Sequence, residues 1–140
     1  ESYVDSKAAS VMGIYKNTVD GMMTNYVFPQ ENGHREQVKW FRIGDGKDGL
    51  LCKMEEKLGL NLANYTDESL EKAQHPFEIE KADDVIIHLD YRQSGLGSNS
   101  CGEEQLEENK VKLQDFAMAF TVQAAECGTE IRKARKQYID

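Results

Sequence analysis

The sequence has little of several residue types that mark specialised protein classes. Its 140 residues include three cysteines, two prolines and one tryptophan. Cys52, Cys101 and Cys127 lie far apart and form neither a Cys-x-x-Cys pair nor a metal-binding spacing with histidine. A disulfide framework and a structural zinc site are therefore not predicted. Three reduced thiols predict a cytoplasmic protein.

Positive charge and long apolar runs are also scarce. There are 17 Lys and Arg against 25 Asp and Glu, a formal net charge of −8. Nucleic acids and anionic membranes bind clustered Lys and Arg, so neither is a predicted partner. No run approaches the roughly 18 apolar residues that indicate a membrane-spanning helix. The hydrophobic share of 39 % is below the usual value of about 45–50 %, as in sheets with one solvated face.

The sequence does contain several short stretches in which apolar and polar residues alternate, as they do in β-strands. An extended segment or edge strand is predicted at Val11 to Tyr15, and a strand that begins at Tyr26 is ended by Pro29. Further strands are predicted at Glu36 to Ile43, Leu50 to Met54, Lys57 to Ala63, Phe77 to Glu80, Val85 to Asp90 and Lys110 to Val122. The second and third of these are either two strands or one bent strand. One short helix is predicted from Glu68 to Gln74, with Asp67 as its N-cap. A total of seven or eight short strands with frequent turns predicts an all-β sandwich.

No pair of carboxylates is predicted to serve as the acid and base of a glycosidase. Glu55 and Glu56 are adjacent, and adjacent strand residues point to opposite faces, so they are interpreted as a solvated turn. Glu31 precedes Asn32-Gly33, a strong turn signal. It is interpreted as an acidic turn residue that pairs locally, with a catalytic role as the functional alternative.

The most informative stretch runs from Val85 to Gly102. An apolar strand leads into a loop in which Gly95 and Gly97 permit backbone angles that other residues avoid. Short polar residues follow, and the loop ends on a cysteine: Ser98, Asn99, Ser100 and Cys101. A polar loop on a rigid strand is typical of a contact surface.

A cysteine nucleophile is the sharpest catalytic hypothesis that the residues permit. It would use Cys101 with His34 or His88 as base. No basic residue or helix N-terminus that would activate the thiol lies near it in sequence. An unactivated loop thiol is therefore the favoured interpretation.

Several stretches together resemble the C-terminal domain of the large β-galactosidases of glycoside hydrolase family 2, also called the small chain or fifth domain. The matching stretches keep the order and separations of the family from Glu1 to about Val122. They are Glu1 to Asp5, Tyr26 to Gly33, Lys39-Trp40, Tyr65-Thr66 with Leu70, Ala73 and His75, and Leu89-Asp90 with Gly95 to Gly102.

The resemblance implies an antiparallel β-supersandwich, similar to galactose mutarotase-like domains, of which this chain is the C-terminal portion. Residues 1–125 would form the sandwich domain and residues 126–140 a C-terminal tail. In the family, two glutamates in a separate barrel carry out retaining hydrolysis, and the magnesium and sodium sites lie there too. The resemblance therefore implies no catalytic residue, metal or cofactor in this chain. It implies an excised fragment or a small subunit that is inactive alone.

The resemblance also implies one substrate-binding site. In the family, the loop after the Leu-x-Asp strand reaches the active-site rim on the aglycone side of the sugar, where well-known members have a tryptophan. Here that position is Cys101, and Asn99 and Ser100 precede it. The implied partners are β-D-galactosides such as lactose and the remainder of the polypeptide or a separate large chain. Exposed sheet edges also favour a homo-oligomer. The alternative is a stand-alone carbohydrate-binding module with Trp40 and tyrosines as stacking platforms.

Overall fold

A computed structural model describes residues 1–6, 11–95 and 103–125 of the chain. Within these ranges it contains four β-strands and one α-helix: β1 (Arg35–Gly44), β2 (Gly49–Ala63), α1 (Asp67–Lys72), β3 (Ile86–Asp90) and β4 (Phe120–Ala124). Three single-turn 3-10 helices lie at Asp20–Met22, Pro76–Glu78 and Glu107–Asn109. The predicted all-β, antiparallel class is confirmed.

Strand β2 is the common element of the sheet, with β1 and β3 as neighbours and β4 also paired to it. Its C-terminal part pairs with β3 in antiparallel register, from Gly59 opposite Asp90 to Ala63 opposite Ile86. Its N-terminal part pairs with β4, also antiparallel, from Leu50 opposite Ala124 to Met54 opposite Phe120.

The chain divides into two compact units. The first comprises Glu1–Gln37 and Leu58–Phe116, and the second comprises Val38–Lys57 and the residues from Ala117 onward. The buried apolar residues of the first unit are Tyr3, Leu58, Leu60, Ala63, Tyr65 and Ala73. Those of the second are Leu51, Cys52, Met54 and Ala125. The proposed boundary before residue 126 stays a prediction, because residues 126–140 lie outside the described ranges.

The turn predicted at Glu55-Glu56 is wrong, because β2 continues through both residues without a break. Both side chains are exposed. No glycine, proline or asparagine is present at this point to end the strand, so the acidic pair is solvated while the backbone stays extended.

The helix begins one residue earlier than predicted and is shorter. Thr66 is the N-cap: its backbone is extended and its Oγ1 accepts a hydrogen bond of 3.2 Å from the Ser69 N–H. Asp67 therefore occupies the first turn, where its negative charge interacts favourably with the helix dipole. The strand predicted from Phe77 to Glu80 is wrong, because the Pro76–Glu78 turn takes its place.

The longest predicted strand, Lys110 to Val122, is largely wrong as well. Only Phe120–Ala124 forms a strand, and every side chain from 111 to 124 is exposed. Within the described ranges, residues 111–118 pair with no strand, and alternation without a partner strand does not form a sheet. The described residues contain four strands where seven or eight were predicted for the chain. Leu50 to Met54 and Lys57 to Ala63 belong to the single strand β2, Pro76–Glu78 is a 3-10 turn, and residues 11–34 form no strand, so the strands predicted near Val11 and Tyr26 are wrong. No described helix is long and apolar enough to cross a membrane.

Candidate functional site

A cluster of polar groups lies inside the first unit around His34, whose side chain is fully buried. Its Nε2 lies 2.9 Å from Glu36 Oε1, and its Nδ1 lies 3.6 Å from Asp90 Oδ2. The imidazole stacks on the Tyr3 ring with a centroid separation of 5.5 Å. Gly59 lies against the imidazole, since a Cβ at this position would be 2.8 Å from His34 Nε2. These five residues are called the His34 cluster below.

Four segments bring the cluster together. Glu36 lies in β1, while Asp90, the last residue of β3, is paired with Gly59 in β2. The N-terminal segment is held beside them because the Ser2 N–H donates to the His34 carbonyl at 2.9 Å. The Glu36 N–H donates to Ser2 Oγ at 2.8 Å. Glycine at position 59 leaves the space that the ring occupies.

The geometry gives the cluster a positioning role. Because His34 is fully buried, no substrate reaches its ring nitrogens. Its Nδ1 makes no hydrogen bond, and the 3.6 Å that separates it from Asp90 Oδ2 is beyond normal hydrogen-bond length. Asp90 is also the last strand residue before the polar loop. The cluster therefore fixes the end of β3, from which the chain continues into residues 91–95.

Asn32 and Gly33, where a turn was predicted, form neither a hydrogen-bonded turn nor a bend, and they lie in a second buried network. Gly33 has a φ of 80°, in the left-handed region, and a Cβ there would lie 2.8 Å from the Met22 carbonyl oxygen. Asn32 is buried, and its Oδ1 accepts from the Thr24 N–H at 2.7 Å. The Asn32 carbonyl accepts from Asn61 Nδ2 at 2.8 Å. These bonds fix the segment that leads into His34.

The polar loop itself is reached through two segments, Tyr91 to Gly95 and Glu103 to Val111, which are called the loop stem below. The Gly95 N–H donates to Gln105 Oε1 at 2.8 Å and to the Asn109 carbonyl at 3.2 Å. The Val111 N–H donates to Ser94 Oγ at 3.2 Å. The two sides of the stem are therefore bonded directly to each other.

Other contacts fix the stem to the first unit. Gln93 Nε2 donates to Glu31 Oε1 at 2.8 Å. The prediction that Glu31 pairs locally is therefore wrong, because its partner lies 62 positions away in the sequence. The Tyr91 and Phe116 rings stack at 5.0 Å. Gly95 is buried, and a Cβ at this position would lie 2.7 Å from Asp5 Cγ. Asp5 is a contact that the sequence patterns did not reveal.

The three residues predicted to bind substrate, Cys101, Asn99 and Ser100, lie outside the described residues, so their role stays a prediction. Of the two histidines considered as bases, His34 is buried in its cluster, and His88 Nε2 lies 3.6 Å from Asp67 Oδ1. In the part of the chain that is described, no group of three or more His, Cys, Asp or Glu side chains could hold a metal ion.

Tyr3 gives the cluster a measurable pH dependence. Burial, with the nearby Glu1, Tyr26 and Glu31, raises the pKa of Tyr3 from 10 to about 12. The folded chain therefore holds the proton of the Tyr3 hydroxyl more tightly than the unfolded chain does. The contribution of this group to the free energy of unfolding is complete below about pH 10 and is lost as the pH rises towards 12. We expect Tyr3→Phe to flatten the alkaline fall in the free energy of unfolding, measured by urea titration across this range. An alkaline slope that is unchanged in Tyr3→Phe would contradict the assignment.

Together, the paired strands, the buried cluster and the bonded stem define an all-β domain that holds the entrance of a polar loop in a fixed position. The family model described as beta galactosidase small chain matches residues 1–122. The chain belongs to this family, and the resemblance found in the sequence is confirmed.

Relatives named beta-galactosidase match over most of the chain. The protein from Actinobacillus pleuropneumoniae is 32 % identical over 86 % of the chain, and that from Halalkalibacterium halodurans is 30 % identical over 87 %. The protein from Arthrobacter sp. (strain B7) is 29 % identical over 89 %. The chain spans only 12–13 % of the length of these relatives.

Proposed function

We propose that the chain is a non-catalytic part of a β-galactosidase, which hydrolyses terminal β-D-galactosides such as lactose. One observation carries the proposal: relatives named beta-galactosidase match 86–89 % of this chain while the chain spans 12–13 % of their length. In this proposal the polar loop at residues 96–102 lines the rim of an active site that the rest of the protein builds. The three cysteines, with no disulfide framework, support a cytoplasmic location.

The contacts of three carboxylates near the stem support the non-catalytic role. A retaining glycosidase needs two free carboxyl groups roughly 5–5.5 Å apart, facing the scissile bond. Glu31 accepts a hydrogen bond from Gln93, and Glu36 and Asp90 flank the buried His34 ring. Each therefore has a structural contact already. The acid and the nucleophile would come from the rest of the polypeptide.

An exposed apolar strip supports the larger polypeptide as a partner. Phe120 and Val122 lie on one face of β4 and are 46 % and 52 % exposed, and Met118, just before the strand, is 40 % exposed. Adjacent exposed apolar side chains mark surfaces that another protein segment covers. Covering by a second copy of the chain is the alternative outcome. Size-exclusion chromatography of the chain with and without its larger partner distinguishes the two.

The isolated chain is expected to show no turnover of a chromogenic galactoside, since both catalytic carboxylates would be elsewhere. The stronger test uses the complete enzyme, in which Cys101→Trp adds a stacking platform on the aglycone side. Aromatic stacking contributes about 0.5–1.5 kcal/mol. We therefore expect the ratio of kcat/KM for lactose to that for nitrophenyl galactoside to change by about two- to tenfold.

The control for this experiment is Cys101→Ser, which keeps the side chain small and is expected to leave the ratio close to wild type. Turnover by the isolated chain would overturn the non-catalytic assignment. A lactose-to-nitrophenyl ratio that is identical in wild type and Cys101→Trp would overturn the rim assignment.

A further inference from the structure

We propose that Asn32-Gly33 is a latent deamidation site, which the segment Glu1 to Tyr3 closes in the folded chain and which opens when that segment detaches. The reaction needs water and this pair of residues. The Gly33 backbone nitrogen attacks the Asn32 side-chain carbonyl carbon, and the new C–N bond replaces the side-chain amide bond. The amide nitrogen leaves as ammonia with the Gly33 proton, and water then opens the cyclic succinimide to aspartate or isoaspartate. The proposal does not depend on the proposed β-galactosidase activity.

The sequence makes Asn32 the most reactive asparagine of the chain. Glycine has no side chain that hinders the attack of its nitrogen, and Asn32 is the only asparagine that a glycine follows. Each of the others precedes a residue whose side chain crowds the attacking nitrogen. In the unfolded chain we therefore expect Asn32 to convert first.

The folded structure holds the Asn32 side chain away from water. Asn32 is 2 % exposed, its Oδ1 accepts from the Thr24 N–H at 2.7 Å, and its Nδ2 donates to the Gln30 carbonyl at 2.9 Å. Both ends of the amide group are thus bonded, and the carbonyl carbon cannot turn towards the next nitrogen unless these bonds break. Breaking one such bond reduces the reactive population by about two- to tenfold.

The attacking nitrogen is held as well. Gly33 is buried, and its N–H donates to Glu1 Oε1 at 2.8 Å. This nitrogen must lose its proton to attack, and the contact keeps the proton in place and away from water. The backbone on either side is fixed, because Asn61 Nδ2 donates to the Asn32 carbonyl at 2.8 Å and Arg35 Nη1 donates to the Gly33 carbonyl at 2.8 Å.

The segment Glu1 to Tyr3 is the part of this closure that can detach as a piece. The Ser2 N–H donates to the His34 carbonyl, Ser2 Oγ accepts from the Glu36 N–H, and the Tyr3 ring stacks on His34. These contacts lie outside the reactive pair, and the Glu1 carboxylate links them to it. Opening a segment held by few hydrogen bonds costs less than global unfolding, so detachment precedes the loss of the core.

The product does not fit the closed site. Aspartate lacks the Nδ2 donor, so the Gln30 carbonyl loses its partner, and a charge enters a site that is 2 % exposed. Isoaspartate lengthens the backbone beside Gly33, where a Cβ would already lie 2.8 Å from the Met22 carbonyl oxygen. A converted chain therefore does not close again, and conversion records irreversibly the time that the site has spent open.

The first experiment compares the folded polypeptide that carries the chain with the same polypeptide unfolded in urea, both in mildly alkaline buffer. Mass spectrometry of proteolytic peptides follows the conversion of Asn32 separately from that of Asn99. We expect conversion of Asn32 to be at least about tenfold slower in the folded polypeptide. Equal rates would overturn the closure, and a lack of conversion in urea would overturn the site itself.

The second experiment compares Glu1→Ala with Glu78→Ala. The Glu78 carboxylate also accepts from a backbone N–H, that of Gln74 at 2.7 Å, so the same group is removed from a site elsewhere. We expect Glu1→Ala to raise the rate of Asn32 conversion by about two- to tenfold and Glu78→Ala to leave it unchanged. Equal rates in the two variants would overturn the closing role of Glu1. A slower rate in Glu1→Ala would also overturn it, since the carboxylate would then act as the base.

Ser2→Ala tests detachment of the segment directly. It removes the Oγ that accepts from the Glu36 N–H and leaves the contacts of Asn32 unaltered. We expect this variant to raise the rate of conversion by about two- to tenfold. An unchanged rate would overturn detachment as the route by which the site opens. If Glu1→Ala does not fold, the rates of Ser2→Ala and Glu78→Ala decide the proposal.

Discussion

Replacing His34 with alanine is expected to lower the free energy of unfolding of the chain by about 2–4 kcal/mol. The side chain is fully buried, so its loss leaves a cavity against Tyr3 and Gly59. It also leaves the carboxylates of Glu36 and Asp90 without the group that lies between them. Both carboxylates keep partial contact with water, which holds the expected loss below that of a fully buried ion pair.

Urea unfolding followed by far-ultraviolet circular dichroism measures this loss. His75→Ala is the matched control. His75 also lies near a carboxylate, with Nδ1 3.2 Å from Glu78 Oε1, but its side chain is 57 % exposed. Exposed pairs contribute about 0–1 kcal/mol, so the control should lose no more than that. Equal losses in the two variants would contradict a special role for the buried ring.

Strands β1 and β3 could be predicted from the residue pattern within each strand. The alternating residues of β1 and the β-branched run of β3 place both strands within one residue of their predicted ends. Asn32-Gly33 predicted the left-handed glycine. The prediction of a strand was wrong for Lys110 to Ala119, because a strand also needs a partner strand. The sequence of one segment does not say whether its partner is present.

The His34 cluster could not be predicted from any one stretch, because its members come from four segments that meet only in the folded chain. A histidine after a turn and before a strand gives no local sign of complete burial. Gly95 was expected to provide backbone freedom, but its φ lies outside the left-handed region.

Gly59→Ala is the second large expected effect, with a loss of about 1–3 kcal/mol in the free energy of unfolding. The added Cβ would lie 2.8 Å from His34 Nε2 and 3.2 Å from Asp90 Cβ. Alanine is intrinsically favoured over glycine within a strand by about 0.5–1 kcal/mol. A site with room would therefore gain stability, and the sign of the change reports whether the ring fills the space. Gly13→Ala, which has room, is the control.

Combining Gly59→Ala with His34→Ala tests whether the His34 ring is the group that the added methyl group meets. If the His34 ring is what the new methyl group meets, then Gly59→Ala should cost little once His34→Ala has removed the ring. The double variant should accordingly lose less stability than the sum of the single variants, by about 1–3 kcal/mol in the same urea titration. Additive losses would mean that Gly59 and His34 contribute to stability independently. A coupled loss would instead establish that the glycine in β2 is required because the buried imidazole beside Asp90 occupies its side-chain space.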